Sequence, residues 1–319
     1  MSPYAQFYSL KGKRVWVAGH DGLVGSALVR RLKNEPVSVH VVSHREADLR
    51  RQSTVKSVIS RLRPDVIYLA AAKVGGIEAN RSRQGEFLYD NLMIGANVIE
   101  SARIFGIEKV VTLGSNCIYP RDAVNPVKET DLLTGPLEKT NEGYAIAKIA
   151  MIELGRFYRD QYGMDIISLM PCNLYGPRDK FEGENTHVFP ALIRKVWEAK
   201  VNGYDHIELW GTGKARREFL HSDDLADAVV FSTKYYSEGL HLNVGSGKDC
   251  TIEELALMIA DVAQWEGSIR YKEGTPDGTP QKLLDIDRLH RMGWDSKIKL
   301  RDGIASTYRW YSSVMKRDD

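Results

Sequence analysis

The chain has 319 residues, enough to bury a large core as two domains or as one domain with a cap. Apolar residues make up 43% and charged residues 27%, and the formal net charge of +2 argues against a bulk nucleic-acid or membrane binder. The three cysteines, at 117, 172 and 250, form neither a disulfide framework nor a zinc spacing, so no metal site is expected. No apolar run approaches a membrane span, and the first residues lack a signal-peptide core, so a reducing cytoplasm is the expected location.

Strand and helix patterns alternate along the first half. "RVWVAG" predicts a buried strand and "LVGSALVRRLKN" a helix. "VSVHVVS" predicts a second strand, and "STVKSVISRLRP" a second helix capped by Ser53. "DVIYLAAA" follows as a third strand, then a long helix through "QGEFLYDNLMIGANVIESARIFG". "KVVTLGS" is a fourth strand, "YAIAKIAMIELGRFYRDQYG" a helix and "DIISLMP" a fifth strand. This rhythm predicts an α/β fold, a Rossmann-type doubly wound parallel sheet that binds ligands at the carboxyl ends of its strands.

After Pro171 the rhythm breaks, and Pro177, Gly183 and Pro190 punctuate an irregular stretch. It predicts a smaller C-terminal substrate-binding domain. "HSDDLADAVVFSTKYY" and "HLNVGSG" are expected to return to the sheet. The expected division is residues 1–173 with roughly 217–247 as the sheet domain, and 174–216 with 248–319 as the cap.

The turn "GHDGLVG" sets glycines at 19, 22 and 25 directly after the first strand, with a GxxGxxG spacing. Gly19 suits the tight turn, Gly22 the approach of a pyrophosphate, and Gly25 close packing of the helix on the strand. A glycine triplet alone is also compatible with a structural turn; the strand–turn–helix context favours a dinucleotide. At the end of the second strand an acidic residue would select NAD, but the chain has Ser43, His44 and Arg45. A basic pair suits a 2′-phosphate, hence NADP(H), the alternative being a solvated surface pair. Asp48 and Leu49 are placed to embrace an adenine, and the small residues of "LAAAKVGG", Ala71 among them, suit close approach beneath the dinucleotide.

"YAIAK" puts Tyr144 and Lys148 on one helical face. A phenol titrates ordinarily near a pH of about 10, and a neighbouring ammonium makes it a workable acid or base near neutrality. Lys148 also suits the nicotinamide ribose, and Ser115, at the end of the fourth strand, suits orientation of a substrate carbonyl. Two residues on stands Cys117, which would face the same way if the chain stays extended. Read alone, a cysteine at a strand end is usually a small buried hydrophobe, and a loop histidine is usually just exposed.

With these residues in order, the chain resembles the extended short-chain dehydrogenase/reductase superfamily. The blocks "AGHDGLVGSA", "LAAAKVGGI", "CIYP", "YAIAKIA", "NLYGP", "HVFPALIRK", "WGTGKARREFLH" and "PDGTPQKLLD" are similar, nearly end to end, to those of the GDP-L-fucose synthase family. The resemblance implies NADPH-dependent epimerisation and reduction of a GDP-4-keto-6-deoxy-hexose by a homodimer built on the two long helices. It implies Cys117 and His187 as an epimerising acid/base pair, beside Ser115, Tyr144 and Lys148. Further cofactor contacts are implied at His20, Leu23, Val24, Pro171, Asn173, Leu174 and His187. For the substrate it implies Asn173, Lys195, Trp210, Arg217 and Asp277. A solvated cap face for Lys195 and Arg217 and a core role for Trp210 are the plainer readings.

A proton alpha to a ketone is acidified because the carbanion delocalises into an enolate, which Ser115 and Tyr144 would stabilise. A thiol, of reference pKa about 8.5, suits that proton transfer as thiolate, with His187 returning a proton. The chain departs from the family at Asn116, where Ser or Thr is usual. That leaves open a 4-keto reductase of a related GDP-sugar, such as a deoxyheptose or a colitose precursor, with or without epimerisation. A redox-neutral dehydratase or 4-epimerase on the same fold is the next alternative, and a 4,6-dehydratase would be expected to show an acidic pair where Asn116 and Cys117 stand. Non-catalytic NADP-binding regulators have often lost the Tyr or Lys, whereas Tyr144, Lys148 and Ser115 are all present here.

Overall fold

The computed structural model describes residues 5–183, 186–272 and 278–316. In chain order the elements are β1 (Arg14–Ala18), α1 (Leu23–Leu32), β2 (Ser38–Val42), α2 (Gln52–Leu62), β3 (Val66–Leu69), α3 (Ile77–Ser82), α4 (Gln84–Ile104) and β4 (Lys109–Leu113). They continue through α5 (Glu142–Tyr162), β5 (Asp165–Pro171), β6 (Asn173–Tyr175), α6 (Val188–Asn202), β7 (His206–Trp210), β8 (Arg216–His221), α7 (Ser222–Tyr235) and β9 (Leu242–Val244). The chain closes with β10 (Asp249–Thr251), α8 (Ile252–Ala263), β11 (Ser268–Lys272), β12 (Gln281–Lys282), α9 (Asp287–Arg291) and α10 (Leu300–Met315).

The expected α/β, Rossmann-like architecture is present. Six strands lie in the order β2-β1-β3-β4-β5-β9, all paired in parallel. Their apolar runs are continuous because both faces are covered: β3 and β4 are buried at every position. Helices α1 and α7 pack together, as do α2, α4 and α5. The strand order reverses between β1 and β3, which opens a crevice above their carboxyl ends.

A second group of strands lies outside this sheet: β8 pairs with β6, β10 and β12, and β7 pairs with β11. Its core gathers Phe189, Ile193, Leu255, Ile259, Ile304 and Tyr311 from α6, α8 and α10. Leu284, Leu289, Met292 and Trp294 pack instead into the core of the parallel sheet. Local signals set the helix ends. Thr251 and Glu254 close a reciprocal capping box on α8, with Thr251 Oγ1 accepting from the Glu254 amide at 3.0 Å. Gly163 (φ 67°) takes the left-handed conformation that ends α5.

One cap differs from expectation. The N-cap of α2 lies two residues earlier, at Arg51, and Ser53 lies inside the first turn without capping it. The apolar face at Val55, Val58 and Ile59 fixes the helix against the sheet without a side-chain cap.

Candidate active site

The turn after β1 is shaped by its glycines. Gly19 has φ 89°, and a Cβ there would lie 2.6 Å from the Ala71 amide nitrogen at the end of β3. A Cβ on Gly25 would collide with the Gly19 carbonyl. Gly22 is different: a Cβ there meets nothing closer than 3.7 Å, and the residue N-caps α1 with no side chain to occupy the helix end. The first hydrogen bond into the helix is Ser26 N–H to Gly22 O, so the amides of Leu23, Val24 and Gly25 lack a helical acceptor. Open space over free helix amides fits a pyrophosphate.

Around this turn, His20 Nε2 lies 3.0 Å from the Asp21 carboxylate. His44 and Arg45 are exposed in the turn after β2. Asp48 is held by Arg50 at 2.9 Å, and that guanidinium holds its carboxyl down to about 2. Leu49 is buried against Ala47 and Val55 in the core beside β2. Asn91 on α4 brackets the loop after β3, accepting from the Lys73 amide (2.9 Å) and donating to its carbonyl (3.0 Å).

Beyond β4 the chain does not stay extended. Strand pairing ends at Leu113, and Asn116–Ile118 form a 3₁₀ turn. Ser115 Oγ accepts from the Cys117 amide at 3.5 Å, so the hydroxyl itself caps the turn. Serine and cysteine are thus neighbours through a turn rather than through strand alternation. From α5, Lys148 Nζ reaches the Leu113 carbonyl at 2.8 Å and lies 5.6 Å from the centre of the Tyr144 ring.

Burial governs the electrostatics. It raises the Tyr144 phenol well above its ordinary value, with the Cys117 sulfur adding to the rise, so the phenol is protonated at neutral pH. It pushes Lys148 down to about 8. Cys117, only 4% exposed, is also pushed up by burial, against which the Ser115 hydroxyl, Lys282 and Lys148 act.

In the other group of elements, His187 N-caps α6 and is exposed, yet the surrounding protein mass, with Lys180, holds its pKa below the usual imidazole value. Pro171 ends β5, and Leu174 lies in β6. Asn173 Nδ2 donates to the Glu218 carbonyl at 2.9 Å, joining β6 to β8. Lys195 Nζ donates to the Glu208 carbonyl at 2.6 Å, and Arg217 Nη1 to the Arg216 carbonyl at 2.7 Å. Trp210 is 61% exposed at the end of β7, outside any core. Asp277 lies outside the described residues.

The structure therefore brings Ser115, Cys117, Tyr144 and Lys148 together, while His187, Lys195, Trp210 and Arg217 come from the other group of elements. It adds Lys282, which the sequence reading passed over although the block "PDGTPQKLLD" contains it. Glu218 is another addition: its carboxylate accepts from the Gly247 amide (2.7 Å) and the Leu284 amide (3.0 Å), and burial pushes it up to about 7.

Residues 15–245 match the NAD dependent epimerase/dehydratase family. A GDP-L-fucose synthase of Sinorhizobium fredii is 50% identical, the alignment covering 96% of this chain and 98% of that one. GDP-L-fucose synthase 1 of Arabidopsis thaliana is 51% identical, with 94% of each covered. Among solved structures, MlghC, a GDP-mannoheptose C4 reductase from Campylobacter jejuni with NADP bound, superposes with a TM-score of 0.87 at 35% identity over 94% of this chain and 98% of that one. The chain belongs to the NAD dependent epimerase/dehydratase family, and within it to the GDP-L-fucose synthases.

Proposed function

We propose that the chain is an NADPH-dependent enzyme that epimerises carbons 3 and 5 of a GDP-4-keto-6-deoxy-hexose and reduces the ketone at carbon 4, as in GDP-L-fucose synthesis. The observation that carries this is a thiol beside a Ser–Tyr–Lys group at the carboxyl end of β4, on the same edge of the parallel sheet as the glycine turn after β1. When bound, NADPH supplies the hydride. The free amides of α1 and the exposed Arg45 would hold its pyrophosphate and 2′-phosphate.

The chain's own residues then divide the work. Ser115 Oγ orients the carbon 4 carbonyl, and the protonated Tyr144 phenol delivers a proton to that oxygen. Lys148, fixed to the Leu113 carbonyl, stabilises the phenolate left behind. Before reduction, Cys117 Sγ removes the proton alpha to the ketone, the enolate charge being spread toward Ser115 and Tyr144. His187 returns a proton from the cap side. Lys195, Arg217, Asn173 and Asp277 are the proposed contacts to the diphosphate and sugar, and Trp210 presents an exposed indole to a base.

Incubation with NADPH and GDP-4-keto-6-deoxy-mannose, followed at the nicotinamide absorbance with NMR of the product, tests the reading. GDP-L-fucose supports it, and absence of NADPH oxidation contradicts it. A second reading, a 4-keto reductase of a related GDP-sugar, is favoured by Asn116, whose Nδ2 is buried without a hydrogen-bond partner between Ser115 and Cys117.

We also assign a homodimer and a cytoplasmic location. Helices α4 and α5 pack together and leave Tyr89, Leu92, Ile146 and Phe157 exposed. Ile146 and Phe157 are about three turns apart, hence on one face, an apolar surface suited to a second copy. No described helix is long and apolar enough to cross a membrane.

A further inference from the structure

Lys282 sits on β12, where it stands opposite Arg217 of β8. The residues around it are fixed to the loop that follows Cys117. The Leu283 amide donates to Asn125 Oδ1 (2.8 Å), and the Val127 amide donates to the Leu283 carbonyl (2.8 Å). On the other side, Glu218 accepts from the Leu284 amide at 3.0 Å. A cavity of about 20 Å³ between loop and strand is lined by Asn116, Tyr119, Asn125 and Lys282. The strand that carries the lysine and the turn that carries the thiol are thus held as one unit.

The Lys282 side chain is half-buried, and among the described residues its ammonium makes no hydrogen bond or ion pair. The charged groups around it are Cys117, Arg217 and Glu138. Those around Cys117 are Lys282 from β12 and Lys148 from α5, with the Ser115 hydroxyl and the Tyr144 phenol beside it. Lys148 is already committed to the Leu113 carbonyl. A partly desolvated ammonium with no acceptor is unfavourable unless an anion faces it.

We propose that Lys282 is a positioning residue for the epimerising base, its ammonium favouring the thiolate form of Cys117. This deepens the proposed function and rests on its assignment of the cysteine as base. Burial favours the protonated thiol, and the ammonium offsets part of that. Because β12 belongs to the cap strands and the thiol to the end of β4, the base is completed only by the two parts together.

The test is the pH dependence of Cys117 alkylation by iodoacetamide in substrate-free enzyme, read by peptide mass spectrometry so that Cys172 and Cys250 are followed apart. Lys282→Met should displace the Cys117 profile to higher pH, with alkylation near neutrality slowed about tenfold and the alkaline plateau unchanged. Lys282→Arg, which restores a cation, should recover most of the wild-type profile and shows that loss of fold is not the cause. An unchanged profile in Lys282→Met overturns the proposal, also if its KM for the GDP-sugar rises, because the lysine would then serve substrate binding alone. The assay involves no sugar. A displaced profile in an enzyme whose wild type exchanges no sugar protons therefore supports the pairing while contradicting the epimerase reading.

Discussion

Lys148 Nζ donates to the Leu113 carbonyl at 2.8 Å, tying the helix that carries Tyr144 to the last residue of the strand that leads to Ser115 and Cys117. This hydrogen bond, with the packing of α5 on α4 and β5, fixes the phenol relative to the hydroxyl and the thiol. Tyr144→Phe should lower ketone reduction by at least about 10²-fold, the usual range for a general acid, while GDP-sugar binding persists. Stopped-flow NADPH oxidation with a separate binding titration checks this, and near wild-type reduction would contradict the assigned acid.

Cofactor choice rests on the turn after β2. Arg45 is exposed there, and no carboxylate ends the strand. Arg45→Ala should weaken NADPH by about 1–3 kcal/mol, the scale of a charge-assisted hydrogen bond, and leave NADH nearly unchanged. Fluorescence titration of both cofactors decides it, since equal losses would remove the phosphate contact from the account.

The glycine turn should tolerate no side chain at its closest approach. A methyl on Gly25 runs into the Gly19 carbonyl, so Gly25→Ala must displace the turn or the helix. Loss of NADPH binding is expected, with the chain still folded by circular dichroism. Gly22→Ala meets no protein atom closer than 3.7 Å, so its loss of cofactor affinity should come without loss of thermal stability.

Much of this was legible in the sequence because the parallel strands are buried on both faces and read as unbroken apolar runs. The strands β6, β10 and β12, of three residues or fewer, had no such pattern; their existence depends on pairing with β8. The turn at Asn116–Ile118 was hidden for a related reason: a serine reads equally well as a strand end or as a cap, and only the Ser115–Cys117 hydrogen bond decides. Lys282 was missed because a lone lysine in a Pro/Gly-rich tract reads as solvated. The signal available was its place in the same block as Asp277.

Acid stability should depend on a buried imidazole near the site. His241 Nε2 lies 2.9 Å from the Tyr119 hydroxyl, and burial, reinforced by Arg288, lowers its pKa to about 4. The unfolded chain binds this proton more readily, so stability is complete above the unfolded value of about 6.5 and is lost as pH falls toward about 4. The contribution is at most about 3 kcal/mol. Urea unfolding at about pH 7.5 and about pH 5 should show a smaller loss on acidification in His241→Gln than in wild type; equal losses would assign the acid sensitivity elsewhere.

The central claim, that Cys117 and His187 rather than Tyr144 transfer the protons at carbons 3 and 5 in the site that also reduces carbon 4, is tested most directly by deuterium. Wild type, Cys117→Ser, His187→Ala and Tyr144→Phe are incubated with GDP-4-keto-6-deoxy-mannose in D₂O without NADPH, and the recovered sugar is analysed by mass spectrometry and NMR. A serine hydroxyl is too weak an acid to replace the thiolate. The account predicts deuterium at carbons 3 and 5 with wild type, slower but persisting exchange with Tyr144→Phe, whose phenol helps hold the enolate, none with Cys117→Ser, and exchange without inversion with His187→Ala. Undiminished exchange and inversion in Cys117→Ser would contradict it.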